Sequence, residues 1–134
     1  MTRVIRRLLA VALMAAAGAA LTQSAAGSQR RVAVVVGGRA AANPALLAQA
    51  GALAARAHGA DVQLRIARTP TEELAVTHVL AVEGYDAVIT LDLDRSVSVA
   101  PVARRFPHVR FLSARPATLP ATVRAQTEPR FRLR

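Results

Sequence analysis

The sequence predicts an α/β fold built on a doubly wound parallel sheet of about four strands. Residues 31–38 (RVAVVVGG) are a mostly β-branched run that ends in two glycines, which is typical of a strand buried on both faces of a parallel sheet. Further strand-like segments alternate with helix-like segments, and the connections between them are short. This alternation indicates right-handed β-α-β crossovers, in which a helix carries the chain from one parallel strand to the next.

The first predicted helix begins at Pro44 and ends at Gly59. Proline suits a first helical turn, and Asn43 before it is a good N-cap because its side chain accepts hydrogen bonds from free N–H groups. Gly59 provides the stop. Residues 61–67 then alternate apolar and polar side chains, which predicts a strand with one wetter face at an edge of the sheet.

Two more helices and two more strands complete the predicted sheet. Thr69 and Pro70 open a helix that runs to Glu83, and residues 86–91 form the third strand. The next helix ends near Phe106, and its start is left open up to Ser98, because Pro101 is tolerated only in a first turn. The fourth strand is residues 109–114 (VRFLSA), the last regular element that the sequence predicts.

The N-terminal residues 1–26 predict a secretory signal peptide. Three arginines precede the uncharged apolar run of residues 8–21, which is shorter than the roughly 20 residues that cross a bilayer, and small residues follow it. An N-terminal core helix and a short membrane anchor are the alternatives. We expect cleavage near Ala26 and a periplasmic or extracellular protein, without a lipid anchor because the chain contains no Cys.

Residues 116–134 predict a basic, flexible tail, because three prolines argue against further regular structure. Its arginines could attract nucleic acid or an anionic membrane. The tail has one aromatic residue and no recognised nucleic-acid motif, so we expect no nucleic-acid partner. Part of the charge of +10 is discounted, because Arg replaces Lys completely, a bias typical of GC-rich coding.

Motifs for catalysis and for metal binding are absent from the sequence. It has no HxxxH or HxH pair and no serine in a GxSxG context. A dinucleotide site is the first enzymatic alternative, but the GxGxxG fingerprint is incomplete, and Arg68 follows the second strand where an acid is expected. We therefore expect a protein that is not an enzyme and takes no cofactor or metal.

Residues 83–114 (EGYDAVITLDLDRSVSVAPVARRFPHVRFLSA) resemble a segment of the basic membrane protein (BMP) family. The matching order is a helix, a Gly-Tyr-Asp turn, a strand, a helix ending in Phe-Pro and a Val-x-Phe strand, and the resemblance extends back to residue 31. It implies that residues 30–115 are a half-lobe of the type I periplasmic-binding-protein fold. Two such lobes close on a small solute, often a nucleoside, that is delivered to an ABC importer.

Ligands of doubly wound sheets bind at the carboxyl ends of the strands. In those loops the candidate ligand-binding residues are Asn43, Asp92, Asp94 and Arg115. Asn43 stands near the family's helix-opening Asn, whereas Arg115 stands where the family usually has an aspartate. Asp92 and Asp94 could instead form a catalytic or cation-binding pair, but acids at a strand-helix junction commonly cap the helix, and we favour capping.

The resemblance implies an exported solute-binding protein with a nucleoside-like solute and an ABC permease or second lobe as partners. The alternative is an interaction module, or a truncated remnant, that pairs with another chain. The fourth strand is followed by the Pro-rich tail, so one of its edges has no predicted partner, and we expect a homo-oligomer formed through that edge.

Overall fold

The computed structural model describes residues 29–57 and 59–128, and it confirms the predicted α/β fold. Four parallel strands form one sheet in the order β2-β1-β3-β4. The predicted signal peptide, His58 and residues 129–134 lie outside the described residues. The strands are β1 (Arg30–Val36), β2 (Ala60–Ile66), β3 (Ala87–Leu91) and β4 (Arg110–Ala114). The α-helices are α1 (Pro44–Arg56), α2 (Pro70–Val82), α3 (Ala100–Arg105) and α4 (Leu119–Thr127).

Strand β1 is central, which explains its unbroken apolar sequence. It pairs with β2 on one side and with β3 on the other, and Val34 lies opposite both Leu64 and Ile89. Both of its faces are covered by helices, so alternation of apolar and polar residues is not needed there. Strand β2 has β1 as its single neighbour in the sheet, which confirms its predicted place at an edge.

Helices cover both faces of the sheet. One core contains Val34 of β1, Ala50 of α1 and Leu119 of α4, whereas the other contains Val35 of β1 and Leu80 of α2. Consecutive residues of β1 therefore point into opposite cores, as the twofold period of a strand requires. This arrangement is the doubly wound sheet that the sequence predicts.

The prediction that residues 116–134 form a flexible tail is wrong for residues 119–127. These residues form α4, and its Leu119 and Val123 are 0% and 3% exposed against the core. Pro120 lies in the first turn, where its missing N–H would have no partner in any case. The hydroxyl of Thr118 accepts a hydrogen bond of 2.9 Å from the Arg115 N–H and holds the preceding turn. Proline here starts a helix.

The helical region after β3 begins at Arg95, which settles a start that the sequence leaves open. Arg95–Val99 is a π-helical segment in which the Ala100 N–H donates to the Arg95 carbonyl, five residues back. Helix α3 follows, with Pro101 in its first turn. A wide turn of this kind before a proline is a local irregularity of the sort often found next to functional sites.

Candidate functional site

A cleft of about 440 Å³ lies at the carboxyl ends of β1, β3 and β4, and we call it the strand-end cleft. The loops that follow these three neighbouring strands form its walls. Its position is the one where ligands bind in doubly wound sheets. The polar side chains that line it are Arg39, Asn43, Asp92, Arg95, Ser113 and Arg115.

Asp92 joins two walls of the cleft. Its Oδ2 accepts a hydrogen bond of 3.1 Å from the Ala40 N–H, which ties the loop after β3 to the loop after β1. Its backbone is left-handed, with φ at 60°, a conformation that Asp adopts more readily than most residues but that still costs energy. The predicted site residue Asp92 therefore lines the cleft and also shapes it.

Gly38 lies against Asp92 on the opposite wall. Its φ is +54°, and a Cβ added to it would lie 2.6 Å from the Asp92 carbonyl oxygen and 2.7 Å from Asp92 Oδ2. Both the backbone conformation and the close approach therefore require glycine at this position. The second glycine of the RVAVVVGG run thus serves the shape of the cleft.

Asn43 lies at the N-terminus of α1, where its side chain can both accept and donate hydrogen bonds. Its Oδ1 accepts hydrogen bonds from Ala45 N at 3.1 Å and Leu46 N at 3.4 Å, so the predicted N-cap is confirmed. The side-chain amide also has two N–H donors that the cap does not use. Asn43 can therefore cap its helix and donate to a molecule in the cleft at the same time.

Asp94 caps the π-helical segment and does not line the cleft. Its Oδ1 accepts from the Ser96 hydroxyl at 2.7 Å, from Ser96 N at 3.1 Å and from Val97 N at 3.4 Å. The Ser96 hydroxyl, followed by the Val97 N–H, lowers the pKa of the Asp94 carboxyl below its ordinary value of 3.8. Capping of a helical segment, the reading favoured from the sequence, is confirmed for Asp94.

Arg115 lines the cleft as predicted, and the structure adds Arg39 and Arg95, which sequence reasoning missed. All three are exposed. Among the described residues, none of their guanidinium groups lies within 4.0 Å of a carboxylate or donates a hydrogen bond. A signal was present in the sequence, because each arginine lies within four positions of a strand end.

Glu73 does not line the cleft, but it joins the loop after β1 to the π-helical segment after β3. It is 4% exposed, and its Oε1 accepts from Gly38 N at 3.2 Å while its Oε2 accepts from the Ser98 hydroxyl at 3.0 Å. The Thr77 hydroxyl donates to the Ser98 carbonyl at 2.8 Å, which closes the network. Buried polar groups that are satisfied in this way fix the loops they join. The sequence indicates only the place of Glu73 in a first helical turn.

Two further properties concern the described part of the chain. Within residues 29–57 and 59–128, three or more His, Cys, Asp or Glu side chains do not come together as a metal ion would require. The helices described there are all too short or too polar to span a bilayer.

Comparison with known proteins gives a likeness in fold and no family match. Protein-family models give no match for this chain, and neither does a search of the curated proteins. Among solved structures, the chain is similar to a fragment of a proposed lipoprotein from Peptoclostridium difficile 630, with a TM-score of 0.52 and 13% sequence identity. The similarity covers 75% of this chain and 100% of that fragment. At this identity the likeness concerns the fold alone.

Proposed function

We propose that the chain is an exported half-lobe of periplasmic-binding type that holds a small solute in the strand-end cleft. The observation that carries the proposal is the cleft itself, whose three walls are the loops after β1, β3 and β4. A volume of about 440 Å³ falls within the range of small-molecule sites. Asn43, Arg39 and Arg115 line it, and among the described residues their side-chain N–H groups donate no hydrogen bond.

A nucleoside-like solute is the part of the proposal that rests on the BMP resemblance of residues 83–114. Arg115 stands where the family usually has an aspartate, and this difference affects how a sugar is bound. An aspartate would accept hydrogen bonds from sugar hydroxyls, whereas an arginine only donates. Delivery to an ABC importer, with a permease or second lobe as partner, rests on the same resemblance.

A single lobe offers one side of what is normally a two-sided site. Without a second lobe, much of the solute remains in water, and fewer hydrogen bonds orient it. We expect an affinity near the millimolar range, or about 4 kcal/mol of binding free energy. A second lobe supplied by another chain would raise this affinity.

Calorimetric titration of the full chain with a panel of nucleosides tests the proposal. Asn43→Ser is the informative variant, because serine keeps the helix cap and removes the amide donors. Weak binding that Asn43→Ser reduces, with unfolding unchanged, is the expected result. Heat that is the same for both proteins, or absent from both, contradicts a nucleoside site in the cleft.

An interaction module is the second candidate function, and the edge of β4 favours it. Strand β4 has β3 as its single neighbour among the described strands, and an unpaired edge of this kind can pair with a strand from another chain.

A further inference from the structure

We infer that the strand-end cleft recognises its solute through an anionic group, a carboxylate or a phosphate. The inference rests on the proposed function, since it specifies the chemistry of the solute held in the same cleft. It does not follow from the BMP resemblance, which implies a solute that is often a nucleoside and therefore uncharged.

Three arginines reach the cleft from three separate loops. Arg39 follows β1, Arg95 follows β3 and Arg115 follows β4. These strands are neighbours in the sheet, and neighbouring strands are about 4.8 Å apart, so the topology itself brings the three loops together. The cleft lining carries one carboxylate, Asp92, against these three cations.

The carboxylates near the cleft are already engaged by the protein. Asp92 Oδ2 accepts from Ala40 N, and Asp94 Oδ1 accepts from two N–H groups and a hydroxyl. These bonds hold both acids in the loop structure instead of turning them toward the arginines. Among the described residues, the arginines have no carboxylate within 4.0 Å.

Arg31, at the amino ends of the strands, shows what an arginine with partners looks like in this protein. Arg31, near the amino end of β1, donates from its guanidinium to the Glu83 carbonyl at 2.7 Å, and its Nε lies 4.0 Å from Asp61 Oδ2. The same guanidinium lies 4.3 Å from the centre of the Tyr85 ring. Arg110, at the amino end of β4, has no carboxylate within 4.0 Å among the described residues either, so the cleft arginines are distinguished by their convergence on one cavity and not by lack of a partner alone.

The chemistry of guanidinium selects the ligand class. Its planar N–H fork matches the paired oxygens of a carboxylate or phosphate, and such charge-assisted hydrogen bonds are about twice as strong as neutral ones. The amide donors of Asn43 add to the same preference, because the cleft then offers mainly donors. A neutral solute would offer the three cations no negatively charged acceptor.

A matched ligand series tests the inference on the full chain by ligand-detected NMR titration. The probes are adenosine, adenosine 5′-monophosphate and adenosine 5′-carboxylate, and inorganic phosphate alone is the fourth. We expect both charged nucleosides to bind at least about tenfold more tightly than adenosine. The better of the two then identifies phosphate or carboxylate as the group recognised.

Arginine-to-alanine variants distinguish binding in the cleft from attraction to the overall positive charge. Arg39→Ala, Arg95→Ala and Arg115→Ala should each weaken binding of the charged probes by about fivefold to tenfold and leave adenosine unchanged. Arg104→Ala, at an exposed site on α3 outside the cleft, removes the same charge and should change nothing. Amide spectra of the variants check that each is folded.

The outcomes distinguish the two proposals. If adenosine binds in the cleft as tightly as the charged probes, and the arginine variants have no effect, the anionic site is wrong and solute binding stands. If Arg104→Ala weakens binding as much as the cleft variants do, the charged probes are attracted by the net charge of the protein, and the anionic site is wrong. If none of the four probes binds, both the anionic site and the proposed function fail.

Discussion

At the scale of single residues, the contact between Gly38 and Asp92 determines the shape of the cleft. Both residues have a positive φ, and they meet where the loops after β1 and β3 approach each other. Glycine adopts this conformation without strain, whereas Asp92 relies on the hydrogen bond from Ala40 N to hold it. This wall of the cleft is therefore sensitive to single substitutions.

Gly38→Ala should lower the free energy of unfolding by about 2–4 kcal/mol, because a methyl group adds steric crowding to the strain of a positive φ. Gly84→Ala is the matched control: its φ is +79°, but a Cβ there meets nothing within 4 Å, so about 1–2 kcal/mol is expected. Urea denaturation measures both. Equal losses would show that Gly38 does not pack against Asp92.

The Asp94 carboxyl should titrate below 3.8, and Ser96→Ala should raise its pKa toward that value by removing the largest cause of the shift. Since the folded pKa is depressed, the ionised cap stabilises the fold above the unfolded pKa, and this contribution is lost as pH falls through the folded value. Carbon-detected NMR titration of the carboxyl measures it. An identical pKa in both proteins would contradict the cap.

At the scale of secondary-structure elements, local patterns predicted most of the molecule. The apolar run of β1, Asn43 before Pro44 and Thr69 before Pro70 identify a strand and two helix starts, because the interactions that form them lie within a few residues. The sequence pattern does not predict helix α4, because the prolines of residues 116–134 argue against regular structure and the helix is stabilised by burial of Leu119 and Val123 on the sheet. Tertiary packing of this kind has no local signal.

The candidate site was predicted in part for the same reason. The rule that ligands bind at strand ends led to Asn43, Asp92 and Arg115. It could not separate Asp94, which is absent from the cleft lining, from Asp92, which lines it, because the two acids lie two positions apart in the same loop. Burial of Glu73 against the Gly38 N–H depends on how α2 packs, which the sequence pattern does not report.

Strand β4 should mediate self-association, as the sequence predicts. Helix α4 packs over β1 and β3 on one face of the sheet, so it does not pair with the outer edge of β4. Phe111 and Leu112 also pack against the cores, and Ser113→Lys, at an exposed position, disturbs the edge with less risk to the fold. Ala125→Lys on the exposed side of α4 adds the same charge away from this edge.

Sedimentation velocity at tens of micromolar, where exposed edges commonly associate, tests this prediction. The wild-type chain and Ala125→Lys should sediment as dimers or larger species, and Ser113→Lys should shift toward monomer. A wild-type chain that sediments as a stable, folded monomer would contradict self-association through β4.

At the scale of the whole molecule, the proposed role requires export. The basic residues before the apolar run of residues 8–21 predict removal of the signal peptide near Ala26. Mass spectrometry of the periplasmic or secreted fraction should find a mature N-terminus between Ala25 and Gln29. Recovery of the intact chain from the cytosol alone would contradict export and leave the cleft without access to external solutes.

The central claim is that the loops after β1, β3 and β4 form one solute site, and amide chemical-shift mapping tests it most directly. Addition of adenosine 5′-monophosphate to the isotope-labelled full chain should shift the amide signals of Ala40, Asp92, Ser113 and Arg115 together, with one apparent dissociation constant. Signals of Val79 on α2 and of Arg110 at the amino end of β4 should not shift. Shifts confined to those distant positions, or spread over every exposed arginine, would contradict the account.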